Sequence, residues 1–502
     1  MKGTTEHLVL SDTRARRRPL YLVFGILVVS EFAYLAMFRL DAVSSAKSVF
    51  SFLALLALLF LCYGFAYYFL RPVRDSRAAA ILIVFGALLF RCTLLFAGLP
   101  HDSTAKEAVS AAAADIRGKA VTYDRFLLYD NDIWRYLWDG HVWASGANPY
   151  LYEPDNPRLD ALSDSESGAN PIWGDIRDNV NHPQVPTIYP PVAELIFRFS
   201  HLLAPGSVLA MKAIFVAFDL LAMLFVGLTL RALRRPWTET LLYAWNPLLI
   251  KTVAGSGHMD AIVAAALAGT AYFMIRGSRT CAAMLWSVSV LAKLSPLVLL
   301  PFVARRLGWR RTSLGIGLIV LGYVPFLSAG KLAFAGMMAF ARSWQFNAGF
   351  FSLMQWLARH VSNDPALLAK GASGIVFLLV LATLVRKDDA NYGSFAWYSA
   401  TALGALILLG PTVMPWYLIW LLPLAAIAGA RIWIHFSVLV CLAFVVMING
   451  TLSPEVLFLE YGALFVLVCR TWLQFKRKMQ AEMSGSMLRV QTVFQKNTES
   501  II

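Results

Sequence analysis

Charge is what this 502-residue sequence has least of: Asp, Glu, Lys and Arg make up 15% of it, against about 25% in an average soluble domain. With 58% of the residues hydrophobic, that scarcity excludes a chain kept in solution by a charged surface. Cysteine is also sparse. Cys62, Cys92, Cys281, Cys441 and Cys469 all sit in apolar runs and form no CxxC or metal-ligand spacing. They read as small core hydrophobes, not as a disulfide framework or a zinc site. No internal repeat with paired broken helices is visible, which argues against the two-halved plan of secondary transporters. No small-residue cleavage site follows the first apolar run, which starts at Pro19 and is long enough to span, so it reads as a span and not as a removed signal.

What is present is a succession of apolar runs of about 20 residues, the signature of bilayer-spanning helices. The net charge of +14 is explained by position. Basic residues cluster in short loops: Arg14 to Arg18, Arg71 to Arg77, Arg231 to Arg235, Arg276 to Arg279, Arg305 to Arg311, Arg386 with Lys387, and Lys476 to Lys478. This is positive-inside patterning and not a folded basic face for nucleic acid. The expected fold is therefore all-α and polytopic, with about 12–14 membrane helices, some re-entrant or broken, and a large outer loop carrying amphipathic helices. The chain divides into N-terminal membrane helices (1–99), an outer loop (100–204), a main helical core (205–473) and a polar, disordered tail (474–502), with both termini cytoplasmic.

Three places depart from simple spans. In 100–188 Asp and Glu outnumber Lys and Arg two to one, and Trp134, Trp138, Trp143 and Trp173 occur there. The stretch after Pro190-Pro191 is short and carries Arg198, so it reads as re-entrant or interfacial. Residues 281–304 begin and end at basic clusters, so Lys293-Leu-Ser-Pro296 reads as the bend of a hairpin of two half-helices. Spans are expected at 312–329 and 413–428, among others.

Four clusters can carry chemistry. The run Asp130-Asn131-Asp132 through Asp139 predicts a helix over 132–143 with Asp132, Arg135 and Asp139 on one face. A carboxylate there can serve as a general base, or the helix can simply lie on the membrane with solvated acids. Gly257-His258-Met259-Asp260 is either a functional corner or a helix start with a first-turn acid. Lys293, roughly 20 Å along its half-helix, calls for an anion such as a lipid phosphate, unless it snorkels or pairs internally. The Trp416-Tyr417 corner is an interfacial belt or a binding feature. Asp219 and Lys251, both intramembrane, are expected to pair with each other.

Together, Asp-Asn-Asp-Ile-Trp-Arg-Tyr-Leu-Trp-Asp-Gly, Gly146-Ala-Asn-Pro-Tyr150, His182-Pro183, Ile188-Tyr-Pro-Pro191, Trp245-Asn-Pro247, Gly255-Ser-Gly-His-Met-Asp260, Lys293-Leu-Ser-Pro296 and Pro415-Trp-Tyr417 resemble the GT-C-fold glycosyltransferases that use polyprenyl-phosphate sugars. The nearest subgroup is the bacterial α-mannosyltransferase-like group, glycosyltransferase family 87 and its relatives. The resemblance covers about 120–420. It implies an inverting membrane transferase of the cytoplasmic membrane, with its site facing outward, a polyprenyl-phosphate sugar as donor and a glycan or glycolipid as acceptor. It puts the catalytic base in the first large outer loop, at Asp132 or its neighbour Asp130. Family sequences often carry Asp-Asp where this chain has Asn131-Asp132, which leaves the base open between the two. Lys293, with His258 and Arg135 or Arg198, would meet the donor phosphate. Asp260, Tyr189, Asn148, Tyr150, Trp138, Asn246, Trp416 and Tyr417 are the expected substrate contacts. A divalent metal, Mg or Mn, suits the chemistry, although no spacing demands one. Mannose rests on the resemblance alone. The rival readings are a transporter or lipid flippase and an oligosaccharide ligase with a pyrophosphate-linked donor.

Overall fold

The structure, a computed structural model, describes residues 3–40, 45–73, 76–99, 105–119, 127–163, 172–470 and 473. The expected disordered tail, 474–502, lies outside the described residues. The chain falls into two units, Met1–Leu452 and Ser453–Ile502. Within the second, residues 454–470 form a helix.

The all-α expectation holds: among the described residues of the first unit the architecture is helical, and the one β-bridge, Phe346 to Thr412, is isolated. Eight described helices are long and apolar enough to cross a membrane, from Arg18–Phe38 to Arg431–Ile448, and two shorter apolar helices, Asp260–Ile275 and Arg279–Ala292, join them. These helices leave large apolar side chains uncovered, among them Phe24, Phe65, Phe85, Leu224 and Leu378. Bare apolar area on that scale suits a lipid solvent and not water.

Local chemistry sets the helix starts. Ser45, Ser76 and Ser207 each cap a helix by accepting from the amide three residues on. At Ser207 the cap is reinforced by Asp115, whose carboxylate accepts the amides of Val208 and Leu209 at 3.1 Å, an anion set at the positive end of the Val208–Ala232 helix.

Breaks position the site. Between 237 and 259 no straight span forms. A 3-10 turn, two single-turn helices and a π-turn at Lys251–Gly255 follow one another. Pro247 starts a helix and cannot continue one, and Gly257 takes φ +77°, a conformation only glycine adopts cheaply. The chain then enters Asp260–Ile275. The hairpin expected over 281–304 is present: Arg279–Ala292 ends at Lys293, which is extended, and Pro296 starts a 3-10 turn leading to Leu300–Leu307. Two expected spans change shape. The span expected at 312–329 is an α-helix only as Trp309–Gly322; a 3-10 stretch, Val324–Phe334, follows with Pro325 near its start and a kink at Gly330 (φ +52°), and the apolar helical run is Val324–Ser343. The 413–428 span splits into Pro415–Trp420 and Leu422–Ala428, each begun by a proline.

The expected Asp219–Lys251 pair does not form. Asp219 instead accepts Arg91 Nε at 2.6 Å and the Tyr243 hydroxyl at 2.8 Å. Arg91 was the nearer cation in space, one helix over, and it is fully buried with its partner. Lys251 Nζ lies over the Phe444 ring at 4.3 Å and has no hydrogen-bond partner among the described residues.

Candidate active site

Asp130 and Asp132 are presented by a strained approach and a helix start. Leu128 and Tyr129 both take positive φ, unusual for bulky side chains. The turn delivers Asp130 inward, and Asp132 opens the helix Asp132–Ala144. There the helix N-terminus favours an ionised carboxylate. Asn181 Nδ2 donates to Asp132 Oδ1 at 2.8 Å and fixes its orientation. His182, with φ +51°, makes the turn that carries Asn181 to it.

His258 lies at the heart of the cluster, 1% exposed at the side chain, stacked on Trp416 with ring centroids 4.4 Å apart. Its Nε2 hydrogen-bonds Asp130 Oδ2. Its Nδ1 has no hydrogen-bond partner, yet it faces Asp260 Oδ2 at 3.7 Å and Asp132 Oδ2 at 4.0 Å. The other Asp260 oxygen, Oδ1, accepts Lys293 Nζ at 2.7 Å and also Trp420 Nε1. Lys293 Nζ sits 4.5 Å from the ring centroids of both Tyr417 and Trp420. The aromatic faces hold an ammonium that Asp260 neutralises on one side only.

The groups set one another's charge. Burial works against a charged ring at His258, but the Asp130 carboxylate overrides it and the ring is pushed up to about 9. Burial likewise opposes ionisation of Asp130, and His258 overcomes it, so Asp130 stays below the ordinary carboxylate range. Asp132 goes the other way. Burial and then the adjacent Asp130 push it up to about 6, and its side chain is the more open of the two, 20% exposed against 3%. A carboxylate that holds its proton more tightly, within reach of a ligand, is the better base.

One side of this cluster borders a cavity of about 900 Å³. Asp130, Asp132, Lys293, Tyr189, Trp416 and Tyr417 line it at one end, and Phe340, Trp344, Phe377, Leu406, Leu409 and Phe444 give it an apolar wall. Ligand atoms of Asp130, Asp132 and His258 lie within 4.8 Å of one another, so these residues can hold a metal ion.

The convergence expected of Asp132, His258 and Lys293 is thus present, and Asp260, Tyr189, Trp416 and Tyr417 join it. Four expected substrate contacts lie elsewhere. Asn148 bonds Ser328, Tyr150 gives its hydroxyl to the Tyr189 carbonyl, and Asn246 caps a helix and bonds Ser437. Trp138 is 1% exposed beneath the Arg177 guanidinium. None of these four side chains lines the cavity. Arg135 reaches the cavity edge, but its Nε serves both oxygens of Asp139 and its Nη1 the Val185 carbonyl. Arg198 stacks on Trp143. Arg135 Nη2 has no hydrogen-bond partner, whereas Arg198 does not line the cavity. Asn181 and Trp420 are the contributors that sequence reasoning missed. Both lie within two residues of, or in the same turn as, motifs already noted, but nothing in either residue type signalled a role.

A helical membrane enzyme with carboxylates, an imidazole and an ammonium at one end of a lipid-sized cavity is the class that fold and site define. Comparison with known proteins finds glycosyltransferases among those this chain is similar to. Residues 126–308 match the family model described as alpha-(1->6)-mannopyranosyltransferase, N-terminal domain. Among curated proteins, alpha-(1->6)-mannopyranosyltransferase B of Corynebacterium glutamicum is 24% identical over 460 residues, an alignment covering 79% of this chain and 72% of that protein. No solved structure matches the chain. The matched stretch contains Asp130, Asp132, His258, Asp260 and Lys293, while Trp416, Tyr417 and Trp420 come from beyond it.

Proposed function

We propose that this protein transfers a mannosyl residue from a polyprenyl-phosphate donor to a hydroxyl of a glycan or glycolipid acceptor, with inversion, at the outer face of the cytoplasmic membrane. The observation that carries the proposal is the pairing of opposite needs across one cavity end. Asp132, the open carboxylate, suits the acceptor's proton, and Lys293, half-neutralised between two aromatic rings, suits the donor's phosphate.

The acceptor oxygen attacks the anomeric carbon as its proton passes to Asp132. The bond from that carbon to the phosphate oxygen breaks, and polyprenyl phosphate leaves with the electron pair toward Lys293. The sugar passes through an oxocarbenium-like state, and attack opposite the leaving group inverts the centre. Buried Asp130 does not receive the proton. It holds His258 in place and leaves Asp132 as the basic member of the pair. The Phe340, Phe377 and Leu406 wall suits the isoprenoid tail. The positive-inside pattern supports an outward-facing site, since the Asp132, His258 and Lys293 segments all lie at the ends away from the basic loops.

The mannosyl assignment rests on the matched family and relative. The test is purified protein with a panel of polyprenyl-phosphate sugars, reading release of polyprenyl phosphate. Turnover of the mannosyl donor above all others is expected. Turnover of a pyrophosphate-linked oligosaccharide alone would replace this reading with a ligase.

A further inference from the structure

We propose that, on the transferase reading, His182 and Trp344 form the acceptor subsite, a pair of rings at the cavity edge that receives one pyranose of the glycan and sets its hydroxyl toward Asp132.

The His182-Pro183 turn is built onto the base. Asn181 Nδ2 holds Asp132 Oδ1 at 2.8 Å. The Val185 amide closes the turn on the His182 carbonyl at 3.1 Å, and the Val185 carbonyl accepts Arg135 Nη1 at 2.9 Å. His182 itself takes φ +51°, a conformation that is costly for a residue with a side chain and clusters at functional sites. From there its ring meets the Trp344 indole, with centroids 4.5 Å apart and planes at 64°.

Trp344 reaches the pair from a different part of the chain. Its carbonyl accepts the Thr412 hydroxyl at 3.1 Å. Two residues on, the Phe346 amide bonds the Pro411 carbonyl at 3.0 Å, and the Phe346 carbonyl accepts the Val413 amide at 2.8 Å. The strand-like stretch at Thr412 leads directly to Pro415 and Trp416, whose ring stacks on His258. Each ring of the pair is therefore tied to a segment that also serves the catalytic cluster: His182 to Asp132 through Asn181, and Trp344 to Trp416 through Thr412. A ligand held by both rings is held in register with Asp132, which is what positioning for attack requires.

The exposed chemistry is that of a sugar contact. Both rings line the cavity. His182 is exposed and Trp344 half-buried, so this edge is open to water. Among the described residues neither the His182 ring nitrogens nor Trp344 Nε1 makes a hydrogen bond. Partial burial, then the Arg135 charge, hold the imidazole below its ordinary value, so the ring is neutral and offers one donor and one acceptor. A sugar hydroxyl needs that same pair. The ring carbons suit the C–H face of a pyranose, as amphipathic aromatics do where one side is apolar and the other wet. The wall at Phe377, Leu406 and Leu409 differs, since it has no polar handle and suits the isoprenoid tail.

Sugar binding is read without the donor, so it is tested apart from transfer. Full-length protein in lipid nanodiscs is mixed with the methyl α-glycosides of mannose, glucose and galactose, and saturation-transfer NMR reads the sugar C–H protons. Saturation of the ring protons of at least one glycoside is expected. Trp344→Ala should weaken that binding about tenfold. His182→Gly removes the ring at a positive φ that glycine adopts freely, and should weaken it about fivefold. Trp344→Phe keeps an aromatic surface and should recover part of the loss; together with His182→Gly it carries the test if Trp344→Ala lowers the thermal transition. In turnover the same variants should raise the acceptor KM and leave the donor KM alone. The proposal is overturned by a wild-type chain that shows no saturation transfer to any of these sugars, or by binding indifferent to loss of either ring. A raised donor KM with an unchanged acceptor KM overturns it equally, and would make Trp344 part of the isoprenoid wall. Ring-dependent sugar binding by a wild-type chain that transfers no sugar would refute the transferase reading and leave the sugar contact standing.

Discussion

Two buried charge clusters in this molecule are built to opposite plans. At Arg306 and Asp388 both side chains are completely buried, and the guanidinium meets the carboxylate through two parallel bonds of 2.8 and 2.6 Å. Its remaining N–H groups go to Phe302 O, Asn391 O and Ser394 Oγ. Arg305, more exposed, lies 3.8 Å from the same carboxylate, and neither Arg306 nor Asp388 lines the 900 Å³ cavity. Around His258, three carboxylates meet one imidazole and one ammonium, Nδ1 has no hydrogen-bond partner, and Asp132 and Lys293 face a cavity. Buried charge is costly wherever it occurs. A closed pair answers that cost inside the protein, so it fixes structure. An open cluster leaves part of the answer to a ligand, so it marks function.

The sharpest way to break this comparison is Asp132→Asn. It should lower transfer by about 10³-fold, within the usual range for a lost general base, with the detergent-solubilised protein still monodisperse. Wild-type release of polyprenyl phosphate by that variant would remove Asp132 from the mechanism. At the closed pair the opposite pattern is expected. Arg306→Ala should cost about 3–5 kcal/mol of stability by stranding Asp388, seen as a lowered thermal transition, while activity per folded molecule is unchanged. Lys293→Ala should raise the donor KM at least tenfold, in line with about 1.5–3 kcal/mol for a hydrogen bond to a charged group, and leave the acceptor KM alone. Equal shifts in both constants would place Lys293 in folding and not in donor binding.

The smallest effect concerns Glu194, buried beside Asp139 and accepting from Thr187 at 2.6 Å. Burial, then the neighbouring Asp139, push its carboxyl well above the ordinary value. The folded chain therefore holds a proton that the unfolded chain releases above about 4.5. Stability from this group is full below that pH and declines as pH rises toward the folded value. Glu194→Gln keeps the neutral shape, so it should flatten that decline across neutral pH. A stability–pH curve identical to wild type would show the carboxyl to be ionised in both states.

Much of the fold was legible because lipid imposes simple rules on sequence. Runs of apolar residues and basic loops marked the spans at 18–38, 46–73, 208–232 and 365–387 almost to their ends. Pro296 announced the hairpin at Lys293 because a proline cannot continue a helix. The spans expected at 312–329 and 413–428 were less faithful, since a mean over apolar residues does not register where Pro325, Gly330 or Pro423 breaks the backbone. In the site, the ionisable members were visible as expensive charges beside membrane breaks. Their partners were not. Asp219 was expected on Lys251 and chose Arg91, and the Arg135–Asp139 pair was not foreseen.

By itself the sequence determined a helical membrane chain, its long acidic loop and the residues whose charge demanded an explanation, because each of these follows from the local cost of placing a group in water or lipid. Only the tertiary structure decided which oxygen faces which nitrogen: that Asp130 holds His258, that Asp260 is shared by Lys293 and Trp420, and that Asp132 stays open. Those choices depend on distances of a few ångströms between residues 33 to 160 positions apart, and no local energy records them.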